Sequence, residues 1–123
     1  MRVYVTGLGV VSGIGLNVEE NMTSLMTGKH GMGKITLFPT QLDVPFSDVK
    51  RTNTALKEQL GWDIEQTYSR TALLGLKAAL EAATDARKVV HTSRTGFIAS
   101  SFVCGLDSCE VHYFPFRPHH STG

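Results

Sequence analysis

The stretch Val5-Thr6-Gly7-Leu8-Gly9-Val10-Val11-Ser12-Gly13-Ile14-Gly15 decides how this chain is read. With Val3 ahead of it, its valines and Leu8 predict a buried strand that runs into a glycine turn. Such a strand-to-glycine passage invites a nucleotide-binding reading. A dinucleotide fingerprint needs G-x-G-x-x-G, with the third glycine opening the helix whose N-terminus holds the pyrophosphate. Ser12 stands where that third glycine belongs. A variant spacing, Thr-Gly then three residues then Gly-x-Gly, fails too, because five residues separate Gly7 from Gly13. Glycines used for tight turns and close packing are therefore preferred, with an NAD(P)-binding reductase kept as an alternative.

Working outward, Asn17 is a good N-cap and Glu20, three residues on, completes a capping box. Val18, Met22, Leu25 and Met26 share one apolar face, and Gly28 is the stop, so residues 18–27 are predicted helical. Glycines and prolines punctuate 28–50 while Ile35, Leu37, Phe38, Leu42, Val44 and Phe46 anchor it, which predicts ordered loop or short strands. A short helix is expected over 52–60, ending at Gly61. The strongest helical pattern runs from Glu65 to Ala83. There Ala72, Leu76, Ala79, Leu80 and Ala83 share a face that Leu73 and Leu74 widen, and the alanines imply close packing against a neighbour. Residues 95–103 read as a second strand, with a turn at Gly105 and a helix from Asp107 bounded by Pro115 and Pro118. The order β-α-loop-α-β indicates an α/β class.

Composition narrows the function classes. The chain has 123 residues, 12 Lys+Arg against 11 Asp+Glu and 41 % hydrophobic residues, which excludes a disordered charged tail. A net charge of +1 gives no global signal for nucleic acid or a membrane surface. No run approaches the ~20 apolar residues of a membrane span, and Met1–Val5 lacks signal-peptide architecture, so a soluble cytoplasmic protein is expected. The two cysteines, Cys104 and Cys109, make a disulfide framework improbable.

Candidate chemistry is sparse. Cys104, Cys109, His112, His119 and His120 superficially resemble a zinc layout, but the prolines between the histidines break any single ligand-bearing element. Small buried residues and surface histidines are preferred there, and His30 and His91 are expected at the surface. Ser100 and Ser101 lack the G-x-S-x-G elbow. The sequence predicts no catalytic residue, cofactor or metal site in this chain.

The opening run nevertheless resembles the N-terminus of the β-ketoacyl-[acyl-carrier-protein] synthases, whose first strand reads V-T-G-x-G-V-V-S-x-x-G. Thr6, Gly7, Gly9 to Ser12 and Gly15 all fit that pattern. Further segments follow in the same order: Leu25-Met26-Thr27-Gly28-Lys29-His30-Gly31-Met32-Gly33, Ile35-Thr36-Leu37-Phe38, Ser69-Arg70 with the alanine-rich helix, and Thr95 to Asp107. The resemblance covers roughly residues 1–113. It implies a thiolase-like fold, α-β-α-β-α in layers when complete and incomplete here, with residues 1–123 as an N-terminal segment of the first half-domain. It also implies a dimer and decarboxylative Claisen condensation of an acyl thioester with malonyl-acyl carrier protein, in fatty-acid or polyketide synthesis. The family's T-A-C-S-S/T nucleophile motif is absent from this sequence, and neither Cys104 nor Cys109 matches it. His119 and His120 match no family histidine. Only Val103, in the segment lining the acyl pocket near the dimer interface, carries over, and Phe102 replaces a commonly small residue beside it. The partners so implied are acyl carrier protein and either a second copy or a synthase-like chain. A non-catalytic subunit pairing with a full-length condensing enzyme is the alternative.

Overall fold

The computed structural model describes residues 2–86, 94–102 and 105–116. Its elements in order are α1 (Val18–Met26), β1 (Met32–Gly33), β2 (Phe46–Ser47), α2 (Asn53–Leu60), α3 (Arg70–Asp85) and α4 (Leu106–Phe116). The class is mixed α/β, compatible with part of an α/β fold. The sheet consists of the β1–β2 ribbon, antiparallel with Met32 opposite Ser47 and Gly33 opposite Phe46. The layered thiolase-like arrangement is not formed by the described residues.

Helix boundaries follow local chemistry. Asn17 accepts from the Glu20 N–H at 2.8 Å, and α1 ends at Gly28, φ 68°, where Lys29 N–H reaches back to the Ser24 carbonyl at 2.8 Å. Thr52 caps α2, and Gly61, φ 67°, closes it, with Trp62 N–H bonded to the Lys57 carbonyl. Both endings require a left-handed residue, which glycine adopts without a Cβ penalty.

The third helix starts at Arg70, five residues after the Glu65 expected. Ser69 caps it by accepting from Ala72 N–H, while Asp63 takes Glu65 N–H into a local turn and Lys57 Nζ donates to the carbonyls of Ile64 and Gln66. Those polar groups hold 63–68 outside the helix, with the Trp62 and Tyr68 rings in tilted contact, centroids 5.1 Å apart. The last helix runs through Pro115 instead of stopping before it. A proline in the final turn still costs a hydrogen bond.

The core sits between α2 and α3, where Leu56 and Leu73 are completely buried. Each such leucine contributes about 1.5–3 kcal/mol by leaving water. Arg70 ties the pair to the preceding strand-like segment. Its guanidinium donates to the carbonyls of Val49 (2.6 Å) and Arg51 (2.9 Å) and to Asn53 Oδ1 (3.0 Å).

Three expectations fail in one direction. Residues 2–10 form no strand and leave Val3, Tyr4, Val5 and Leu8 exposed. Residues 94–102 form no strand either, and Phe97 and Ile98 face solvent, Ile98 at 97 %. On α1 the apolar face is outermost, with Met22, Leu25 and Met26 exposed, while Asn21 and Ser24 are buried. A strand forms only when a second strand pairs with it, and the described residues offer these segments none. A compact monomer of 13.4 kDa exposes about 6,500 Å². This chain exposes 10402 Å².

Candidate functional site

The glycine stretch meets α3 through bare backbone. A Cβ on Gly7 would lie 2.1 Å from the Ala82 carbonyl oxygen, and one on Gly9 would lie 1.9 Å from that of Ala78. Only glycine permits this approach, and the small side chain of Ala86 extends the seat. This is what the alanine-rich helix was expected to provide. Glu81 then clamps the segment: its carboxylate accepts from Val10 N–H at 3.0 Å and Val18 N–H at 2.8 Å.

Beyond Val10 the chain turns sharply, with Ser12 and Gly15 bridged through Ser12 N–H and the Gly15 carbonyl at 2.8 Å. The buried polar face of α1 holds this turn. Ser24 Oγ donates to the Ile14 carbonyl at 2.7 Å, and Ser12 Oγ donates to Asn21 Oδ1. Polar side chains are inside here because the turn's carbonyls need donors, which an apolar face could not supply. Glu20 reaches one residue farther back than a capping box would, accepting from Leu16 N–H at 2.7 Å. The N–H groups of Leu16, Val18 and Glu20 are thus all taken by side chains of this chain. These are the donors a pyrophosphate would need, so the geometry supports packing as the role of the glycines.

Two concave surfaces result. One, of about 680 Å³, lies between the N-terminal half of α3 (Thr71, Ala72, Gly75, Leu76, Ala79) and the extended segment Phe97 to Ser101. Ser100 and Ser101 line it, whereas Phe102 is fully exposed and is not among the residues lining it. Val103, the other expected acyl-pocket residue, lies outside the described residues. The other surface, of about 300 Å³, is polar: Ser12 to Leu16 and Glu20 face Lys29 to Met32, Lys50 and Arg51. Gly13 and Gly31 press together at its base, where a Cβ on Gly31 would sit 2.6 Å from the Gly13 carbonyl oxygen. Sequence reasoning missed this second surface, since the cations come from separate loops and only folding gathers them.

The remaining candidates are scattered. His30 is exposed, as expected; Cys109 is an exposed free thiol on α4, and His112 on the same helix is also exposed. Cys104, His91, His119 and His120 lie outside the described residues. Among the described residues no three His, Cys, Asp or Glu side chains are grouped to hold a metal ion. No helix among them is long and apolar enough to cross a membrane.

A mixed α/β chain whose glycine-rich opening is built for packing, and which brings together no catalytic group among the described residues, is the class the geometry defines. Sequence comparison adds a distant synthase-like relationship. Over 94 residues, 70 % of this chain, it is 33 % identical to the Schizosaccharomyces pombe protein named "Putative 3-oxoacyl-[acyl-carrier-protein] synthase, mitochondrial". The chain spans about a fifth of that protein's length, the aligned part being 22 % of it. No protein-family model matches the chain, and no solved structure matches it.

Proposed function

We propose that this chain is the N-terminal segment of a β-ketoacyl-[acyl-carrier-protein] synthase and contributes scaffold, not catalytic groups, to decarboxylative condensation of an acyl thioester with malonyl-acyl carrier protein. The observation that carries the reading is the similarity over 94 residues to a protein bearing a synthase name. The exposed apolar arms support it. Val3, Tyr4, Val5, Phe97 and Ile98 are strand-forming residues left in water, and further strands of a larger sheet would cover them. The proposed site of work is the cytoplasm, with acyl carrier protein as the partner of the assembled enzyme. Incubating the purified chain with malonyl- and acyl-loaded acyl carrier protein should release no carbon dioxide and form no 3-oxoacyl product. Turnover by the chain alone would overturn the assignment of a scaffold role.

A second reading has one observation in its favour. The same exposed arms suit a non-catalytic subunit that docks on a full-length condensing enzyme or on a second copy. Co-expression separates the two: stable co-purification with a complete synthase chain favours the subunit, and its absence favours the segment.

A further inference from the structure

We propose that the polar concavity between the glycine turn and the β1–β2 ribbon is a binding site for a phosphate-type oxyanion, a role that rests on no part of the synthase reading. Three basic side chains, Lys29, Lys50 and Arg51, line it together with His30. The acidic residue on its wall is Glu20, and that carboxylate is already engaged by Leu16 N–H at 2.7 Å. Neither Lys29 nor Lys50 has a hydrogen-bond or ion-pair partner for its ammonium group among the described residues, and the Arg51 guanidinium makes one long contact, 3.4 Å, to the neighbouring Lys50 carbonyl. The hollow thus sets three cationic side chains against one carboxylate, a local excess of positive charge in a chain of net charge +1.

The backbone adds to this. The N–H groups of Gly13 and His30 donate to nothing among the described residues, and both residues line the hollow. The Gly13–Gly31 contact keeps two backbones close where side chains would otherwise fill the base. A volume of about 300 Å³ admits a tetrahedral oxyanion with part of a substituent. Guanidinium and ammonium donors around exposed amides make charge-assisted hydrogen bonds, the strong kind for phosphate. Asp48, whose carboxylate oxygens are buried without a partner, is not on the wall.

None of the three cationic side chains holds the fold together, since Arg70 bonds to the Arg51 carbonyl and not to its guanidinium. Lys50→Gln/Arg51→Gln is therefore a clean test. Titrating the ¹⁵N-labelled full chain with inorganic phosphate at constant ionic strength should move the amides of Gly13, Gly15, His30 and Gly31 in a saturable way. The double variant should bind at least tenfold more weakly, and about a hundredfold if both side chains donate a charge-assisted hydrogen bond, with amide positions on α2 and α3 unchanged as the control for folding. Arg2→Gln, which is not on the wall, should bind like the parent. Glycerol 2-phosphate in place of phosphate distinguishes the source: binding of both indicates a phosphate carried on a larger molecule, and binding of phosphate alone indicates the free ion. Unsaturable shifts with both probes, or equal binding by the parent and the double variant, would overturn the proposal.

Discussion

The α2–α3 pair and the two extended arms, residues 2–10 and 94–102, are built from equally apolar sequence yet end differently. The helices satisfy their own backbones, and Leu56 against Leu73 closes a small core. Arg70 satisfies three acceptors around it. The N-terminal arm meets α3 where Gly7 and Gly9 expose backbone and where Glu81 accepts from the Val10 amide. Its valines point to no partner. A helix pairs its backbone within itself, whereas a strand needs another strand supplied from elsewhere. Local contacts therefore finish one region and leave the other waiting for a surface.

Removing the helical pair's core should have the largest effect. Leu73→Ala is expected to destabilise the chain by about 2–5 kcal/mol, the cost of a buried leucine plus the cavity left behind. Urea unfolding followed by far-ultraviolet circular dichroism would show it; an unchanged midpoint would mean that α2 and α3 do not form a cooperative core.

An intermediate effect is expected where the arm meets the helix. Gly9→Ala places a methyl 1.9 Å from the Ala78 carbonyl oxygen, so the arm must lift. A cost of about 1–3 kcal/mol is typical of such overpacking. It should appear as faster hydrogen exchange at Val10, whose N–H Glu81 binds, with the amides of α2 and α3 still protected. Loss of protection in all three together would show that arm and helices are one unit.

The smallest effect should have the opposite sign. Gly75 lies mid-helix on α3, and a Cβ there meets nothing within 4 Å. Gly75→Ala should therefore stabilise α3 by about 1 kcal/mol, the difference in helix propensity. A melting temperature that falls instead would reveal something already packed on that face.

Much of the fold was legible in the chain. Asn17 was read as a cap and Gly28 and Gly61 as stops, because capping depends on residues three or four apart, whereas the caps Thr52 and Ser69 were identified only in the structure. Spacing also argued for packing glycines in the opening stretch, and Gly7 and Gly9 do meet α3 through bare backbone. The late start of α3 was hidden because Asp63 and Lys57 compete for the backbone of 63–68 through contacts that periodicity does not register. Burial on α1 was inverted for a similar reason: the glycine turn needed Asn21 and Ser24 as hydrogen-bond donors and acceptors, so the polar face went inward. Of the expected acyl-pocket pair, Phe102 points to solvent and Val103 is outside the described residues.

The sequence by itself determined where the helices lie, the ends of α1 and α2, the glycine positions and the synthase-like similarity, since each depends on residue type within a few positions or on ordered motifs. Only the tertiary structure decided which face of α1 is buried, that the two strand-like runs remain unpaired, and that Lys29, Lys50 and Arg51 meet across the glycine turn. Those outcomes depend on which distant segments come into contact, and period and propensity carry no information about that.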